Sequence, residues 1–289
     1  ITIKESLKKN NLLFKPRIIK KGNPTQKILK SKNKIRGNFT TGSQEHFYLE
    51  GQVALVIPKE DSNFLVYSST QHPSETQQII AKMLNQKSNS VDVMVRRIGG
   101  GFGGKETQSF IFAAICTLLA KKTKQPVKLR MDRDDDIIIT GKRHDFYSEY
   151  EVGFNDDGVI EGLKIKLASR CGMSPDLSGA INERALLHID NAYYLSNVQV
   201  QNFLCKTNTV SSTAFRGFGG NQGMMAIENI IDNIEKEIKQ NVEFIPGSNF
   251  KENNKNISDN IEEILSILSF QKSIEKEFSP IKMLFCGQF

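Results

Sequence analysis

Two glycine-rich loops are the parts of this sequence whose residue types and spacing could do chemistry. The first is the run 98–104, in which five of the seven residues are glycine. Glycine lets the main chain take a positive φ and lets a ligand approach bare amides. The run precedes an apolar segment, predicted as a helix over 106–122, whose unpaired amides and dipole favour an anionic group. The sequence therefore predicts an anion site where that helix begins.

The second loop, 214–223, has the same aromatic-glycine character and precedes a predicted helix over 222–239. A single loop would suit a dinucleotide, because residues 99, 101 and 104 match the spacing G-x-G-x-x-G and Asp132 follows the next predicted strand, 126–131. A plain strand-to-helix turn without a ligand is a further interpretation of the first loop. Two such loops instead indicate two main-chain walls around one large anionic cofactor.

The elements that must position these loops alternate between hairpins and helices. One hairpin is predicted from strands 51–58 and 64–68, and another from strands 146–154 and 159–169 around the turn 155–158. Strands 91–95 and 198–205 lead towards the two loops. Further helices are predicted from Pro73 and, as a short helical turn, over 181–188. The segment 15–37 is interpreted as a loop with weak strands, 132–136 as a solvated turn and 171–180 as a loop. This mixture predicts an α+β fold, with mixed sheets and packed helices.

Composition and cysteine usage narrow the class of protein. The 289 residues have the composition of an ordinary globular chain. No apolar run reaches the ~18 residues that a membrane helix needs, and the lysine-rich start lacks the apolar core of a signal peptide. The cysteines form no C-x-x-C pair, which argues against iron–sulfur or zinc ligation by this chain and favours a cytoplasmic location. They are Cys116, Cys171, Cys205 and Cys286.

The net charge of +7 is unevenly distributed along the chain. Residues 1–37 hold twelve Lys or Arg and one Glu, or +11, which leaves −4 for the remainder. A basic arm of this kind could bind nucleic acid, but Phe14 is the only aromatic residue within it. A solvated face is the favoured interpretation.

The domain organisation is predicted from the same sequence. The start of the chain resembles the interior of a larger protein. Residues 1–240 are predicted as one domain, 241–260 as a linker, and 261–289 as a C-terminal helix with a tail.

Five motifs occur in order along the chain, the segments 42–50, 69–71, 96–107, 182–185 and 213–220. In this order they resemble the molybdenum-cofactor subunit of the xanthine dehydrogenase and aldehyde oxidase family. The resemblance covers residues 1–240 and implies a partial molybdopterin-binding domain. It also implies hydroxylation of an electron-poor carbon, such as that of xanthine or hypoxanthine, with oxygen from water. Electrons would pass through iron–sulfur clusters and FAD, expected on partner chains, to NAD.

The same resemblance assigns the cofactor to both glycine loops and to the residue that follows strand 64–68. Gln71 would hydrogen-bond the molybdenum centre through its side-chain amide, and the alternative is a helix cap. The main-chain amides of Phe102 and Arg216, with Gly103 beside the first of them, would donate to molybdenum or pterin ligands. Glycines adjacent to these residues would let the amides come close to the cofactor.

Three side chains are implied to hold the substrate. Glu106, predicted in the first turn of its helix, would bond a purine edge, and the alternative is a cap favoured by the helix dipole. Arg184 would face Glu106 and stabilise charge developing on a carbonyl oxygen, and the alternative is a surface ion pair with Glu183 or Asp190. Phe218 would stack on the purine ring, and the alternative is a core position.

The sequence also departs from that family. The family's subunit is more than twice as long, and its general-base glutamate lies in a Gly-Glu-Pro-Pro-like motif that this sequence does not contain. Asn221 stands where proline is usual. We therefore expect the chain to be inactive alone. Either the remaining large-subunit segment and an iron–sulfur/FAD subunit complete it, or it is a non-catalytic remnant. A dinucleotide-binding dehydrogenase and a nucleic-acid-binding protein are the less favoured hypotheses.

Overall fold

A computed structural model of the protein describes residues 1–243, with side chains to residue 239. Most of the predicted linker 241–260 and all of the predicted helix and tail 261–289 lie outside the described residues. The elements in chain order are α1 (Ile3–Lys8), β1 (Arg17–Lys21), α2 (Pro24–Lys30), β2 (Asn33–Thr41), β3 (Val53–Pro58), β4 (Phe64–Ser68), α3 (Pro73–Leu84), β5 (Val91–Met94), α4 (Ser109–Thr123), β6 (Val127–Arg130), α5 (Arg133–Ile139), β7 (Phe146–Phe154), β8 (Ile160–Gly172), α6 (Ser178–Leu187), β9 (Val198–Lys206) and α7 (Gly220–Glu243).

Two mixed sheets organise these elements. The larger sheet has the strand order β1-β9-β8-β7-β2, and only its β8–β9 pair is parallel. The smaller sheet has the order β5-β4-β3-β6, and only its β4–β5 pair is parallel. Both predicted hairpins, β3–β4 and β7–β8, are present. The predicted α+β fold with mixed sheets and packed helices is confirmed.

Each sheet has its own apolar core, and strands such as β3 and β4 alternate between buried and less buried positions. The smaller sheet packs against α3 and α4, with Val56, Val66, Ile80 and Cys116 fully buried. The larger sheet packs against α6 and α7, with Val152, Leu163, Ala185 and Ile227 fully buried. The two glycine loops precede α4 and α7, which places one loop at the helix layer of each sheet.

Helix α4 begins later than the sequence predicted, at Ser109 rather than at residue 106. Residues 101–107 form turns instead, in which the amide of Gly104 donates to the carbonyl of Gly101 and the amide of Glu106 to that of Gly103. Glu106 therefore precedes the helix. Its predicted place in the first helical turn is wrong, and so is the alternative that it caps the helix there, because the loop's own turns occupy those positions.

The acidic segment 132–136 is not the solvated turn that its charges suggested. The side chain of Asp132 accepts from the amide of Asp134 and caps helix α5. Asp136 is buried and accepts hydrogen bonds from the Tyr48 hydroxyl (2.8 Å) and the Gln52 amide (3.2 Å). Helix α2 was missed, and Asn23 and a proline at the first helical position start it. The predicted helical turn 181–188 is present as α6, which begins three residues earlier.

Within residues 1–243, no helix is long and apolar enough to cross a membrane. The same part of the chain contains no group of three or more His, Cys, Asp or Glu side chains that could hold a metal ion. The cysteines at positions 116, 171 and 205 are buried thiols without disulfide partners.

His144 makes the fold sensitive to acid. The ring is completely buried, its Nε2 lies 2.7 Å from the Ser178 hydroxyl, and burial lowers its pKa to about 3. An unfolded histidine has a pKa of about 6.5. Between these values the unfolded chain binds more protons, so the free energy of unfolding falls as pH falls, by roughly 2 kcal/mol between pH 6.5 and pH 5.

We therefore expect His144→Gln to show a smaller difference between urea unfolding curves at pH 7 and pH 5 than the wild-type chain. His72→Gln is the matched control, because His72 lies exposed at the start of α3. An unchanged pH difference in His144→Gln would contradict the assignment.

Candidate functional site

Gln71 forms part of the first glycine loop. Its Oε1 accepts hydrogen bonds from the main-chain amides of Gly103 (2.9 Å) and Lys105 (3.2 Å). The main-chain amide of Gln71 donates to the Lys105 carbonyl (2.8 Å). At Gly101 a Cβ would lie 2.5 Å from Oε1, so a larger residue there would displace the Gln71 side chain. The side chain is thus not a helix cap. Because Oε1 is the accepting atom, Nε2 is the remaining donor, and it has no hydrogen bond to any described residue.

The side chain of Lys105 holds the first glycine loop in place by hydrogen bonds. Its side chain is completely buried, and Nζ donates to the carbonyls of Ile98 (2.5 Å) and Glu50 (2.7 Å). The ammonium also lies 4.6 Å from the ring centroid of Tyr48. Burial lowers the pKa of Lys105 to about 8. Since Ile98 begins the loop and Lys105 follows it, one side chain joins the two ends.

The two glycine loops contact each other directly. The amide of Arg216 donates to the carbonyl of Phe102 (2.9 Å), and a Cβ at Gly103 would lie 2.7 Å from the main chain of Ala214. Phe102 has a φ of +53° and Gly103 a φ of +103°. The two loops therefore adjoin each other, and the prediction that they form walls around a cofactor stays a prediction.

The amides predicted to bind a cofactor differ in what they now contact. That of Arg216 is occupied by the Phe102 carbonyl and that of Gly103 by Gln71. The predicted roles of Arg216 and Gly103 at the cofactor therefore stay predictions, and in this conformation both amides donate to neighbouring loop atoms. The amide of Phe102 makes no hydrogen bond within the described part of the chain, and it remains the candidate donor.

Helix α6 is packed on the second loop. A Cβ at Gly219, whose φ is +92°, would lie 2.0 Å from the Ile181 carbonyl oxygen, and one at Gly223 would lie 2.3 Å from that of Ala185. Any side chain at either position would push the helix away. This contact brings Arg184 of α6 beside the loop, since its Nε lies 3.6 Å from the Cβ position of Gly220.

Asp176, two residues before α6, connects that helix to the first loop. It accepts hydrogen bonds from Thr107 Oγ1 and Gln108 Nε2, both at 2.7 Å. Thr107 Oγ1 also lies 3.1 Å from the hydroxyl of Thr213, just before the second loop. Burial raises the pKa of Asp176, and the hydrogen bonds from Thr107, Thr213 and Gln108 oppose that rise.

Glu106 and Arg184 form no ion pair with each other in the described part of the chain. Burial raises the pKa of Glu106; the nearby His72 opposes this rise, and the charges of Asp176 and Glu75 add to it. The guanidinium of Arg184 is exposed and makes no ion pair among residues 1–239. The alternative of a surface ion pair with Glu183 is wrong, because Glu183 pairs with Arg17 at 2.8 Å.

Phe218 is half-buried and belongs to none of the apolar cores of the described residues. Its φ is +48°, and its amide donates to the Phe215 carbonyl (2.8 Å). The core alternative for this residue is therefore wrong. Two surface clefts lie elsewhere, one across the strands of the larger sheet and one between Phe14 and α6, and neither is lined by a predicted site residue.

A family model described as a molybdopterin cofactor-binding domain matches residues 3–249. The chain belongs to the molybdopterin cofactor-binding domain family. The resemblance drawn from the five motifs is confirmed, and so is molybdopterin as the cofactor of this family. The match favours molybdopterin over a dinucleotide, and Asp132, the acidic residue of the dinucleotide pattern, caps α5 instead.

Two relatives are xanthine dehydrogenases in name. The chain is 42% identical over 244 residues to the xanthine dehydrogenase of Emericella nidulans, covering 84% of this chain and 18% of that protein. It is 44% identical over 229 residues to the xanthine dehydrogenase/oxidase of Gallus gallus, covering 79% of this chain and 17% of that protein. The chain thus spans less than a fifth of the length of these relatives.

The fold is also similar to that of an aldehyde oxidoreductase from Desulfovibrio gigas. The TM-score is 0.74, with 23% identity, over 79% of this chain and 25% of that one. At this identity the similarity concerns the fold alone, and it agrees with the molybdopterin cofactor-binding domain that the family model identifies.

The residues of this molybdopterin cofactor-binding domain fit a cofactor beside the contact of the two loops. Glycines line the contact where any Cβ would collide, and Gln71 Nε2 and the Phe102 amide are donors without partners among the described residues. Sequence reasoning missed four residues that hold this arrangement, Lys105, Asp176, His46 and Arg143. Lys105 and His46 lie within the matched motifs, so a signal existed for them, but Arg143 and Asp176 lie outside every motif.

Proposed function

We propose that this chain is part of a molybdenum hydroxylase that oxidises xanthine or hypoxanthine with oxygen derived from water. The observation that supports it is the direct contact of the two glycine loops, with Gln71 and the Phe102 amide as donors beside that contact. The family match and the xanthine dehydrogenase relatives support the reaction class. Bound molybdopterin would supply the metal centre that takes up the substrate's electrons.

The residues of this chain have two tasks in the proposal. Gln71 Nε2 and the Phe102 amide hydrogen-bond the cofactor and orient it. Glu106, whose pKa is raised by burial, hydrogen-bonds one purine edge. Arg184 donates to the carbonyl oxygen on which negative charge develops, and Phe218 stacks on the ring. Glu106 and Arg184 would hold the substrate from two sides.

The general base and the electron acceptors come from elsewhere in the proposal. Residues 1–240 act as one molybdopterin-binding domain, which the remaining large-subunit segment completes with its glutamate. Iron–sulfur clusters and FAD on a partner chain carry electrons to NAD. A non-catalytic remnant is the second candidate, because this sequence contains no Gly-Glu-Pro-Pro-like motif that could supply the general base.

Molybdenum content separates these two candidates. We expect the purified chain to contain molybdenum when it is co-produced with the remaining segment, and Gln71→Leu to lower that content. Gln78→Leu is the matched control, because Gln78 is exposed on α3. Metal would be measured per folded chain by mass spectrometry. A co-produced complex that never contains molybdenum would support the remnant.

A further inference from the structure

His46 lies between the two glycine loops. Its buried ring places Nε2 2.6 Å from the carbonyl oxygen of Ala214, which begins the second loop. The other side of the ring packs on the first loop, where a Cβ at Gly104 would lie 2.7 Å from Cγ. Because a carbonyl oxygen only accepts, Nε2 must carry the hydrogen. His46 thus joins the end of one loop to the start of the other.

Arg143 holds the second loop through two further contacts. Its Nη1 donates to the carbonyl of Arg216 (2.9 Å), and its guanidinium carbon lies 3.8 Å from the ring centroid of Phe215. That ring also lies 4.7 Å from the His46 ring. Arg143 is only 8% exposed, and burial lowers its pKa to about 10. A buried guanidinium is costly unless its donors are paired, and here they are paired with loop and segment oxygens.

Both residues are anchored in one short segment, 44–46. Arg143 Nε donates to Gln44 Oε1 (2.6 Å), and its amide donates to the Gln44 carbonyl (3.0 Å). Next along the segment, Glu45 pairs with Lys142 at 2.8 Å. His46 itself completes the segment. Three consecutive residues therefore connect the first loop, the second loop and the 142–143 turn.

We propose that His46 and Arg143 are positioning residues that fix the relative position of the two glycine loops and thereby the place where the cofactor binds. The claim about the cofactor rests on the proposed function, whereas the claim about the loops does not. Both contacts end on main-chain atoms of the second loop, so they set the position of the backbone. Neither residue belongs to the apolar cores of the described chain.

The test uses the full chain and two readouts. Hydrogen exchange of segments 99–104 and 214–219 measures how readily the two loops open, with or without cofactor. The molybdenum content of the complex with the remaining segment measures whether the cofactor binds. We expect His46→Leu and Arg143→Met to speed exchange in both loops about tenfold. The reason is that the loops can then open without breaking the hydrogen bonds that these side chains make. Molybdenum content should fall in parallel.

Conservative variants and a core control distinguish positioning from general destabilisation. His46→Gln keeps an N–H donor and should restore slow exchange, and so should Arg143→Lys in part. Phe154→Leu lowers stability within the core of the larger sheet and should leave loop exchange unchanged. Unchanged loop exchange in His46→Leu, or equally fast exchange in Phe154→Leu, would overturn the proposal. If exchange is faster in the variants but no protein contains molybdenum, wild type included, the proposed function is refuted. The assignment of the loop contacts would still stand.

Discussion

Gly103→Ala is expected to lower the affinity for the cofactor by about 10- to 100-fold, because the added Cβ has no place between the two loops. It would lie 2.7 Å from both the carbonyl carbon and the carbonyl oxygen of Ala214. The φ of +103° is also one that only glycine adopts readily. Strain of this kind costs of order 1–3 kcal/mol, and about 1.4 kcal/mol corresponds to a tenfold change in affinity.

The measurement is molybdenum content of the complex with the remaining segment, at limiting cofactor, together with the thermal midpoint of unfolding. Gly42→Ala is the matched control, because a Cβ there would meet nothing within 4 Å. It should retain both the metal and the midpoint. Full molybdenum content in Gly103→Ala would show that the loops need not touch for the cofactor to bind.

Arg184→Met is expected to depress xanthine turnover by about 10²- to 10³-fold in the assembled enzyme, which is the usual effect of removing one donor to a developing oxyanion. Turnover of an aldehyde should fall far less, because an aldehyde presents no second carbonyl for the guanidinium to hold. The structure supports this assignment indirectly. Arg184 makes no ion pair among residues 1–239, although acidic neighbours lie close in sequence.

Glu183→Gln provides the comparison. Glu183 is the residue before Arg184, and it pairs with Arg17 on the exposed surface instead. Exposed pairs contribute little to stability, so turnover of both substrates should stay near the wild-type value. Steady-state kcat/KM for xanthine and for an aldehyde would be compared across the two variants. Equal losses on both substrates in Arg184→Met would count against the proposed contact with a purine carbonyl.

The amino-acid sequence was sufficient to predict the loops and much of the fold. Glycine runs and the periods of apolar residues are local signals, because backbone freedom and burial pattern are written in neighbouring residues. The positions of β3–β4, β7–β8, α3 and α7 followed from them. The motifs around 96–107 and 213–220 were also sufficient for the family, which the match over residues 3–249 confirmed.

Only the tertiary structure decided how the two loops meet. The hydrogen bond from Arg216 to Phe102, the late start of α4 and the burial of Asp136 all depend on partners distant in sequence. Arg143, for example, contacts Gln44 across 99 positions. A local pattern carries no information about such a partner. The sequence therefore determined which residues could offer bare amides, and packing determined which of those amides are already occupied.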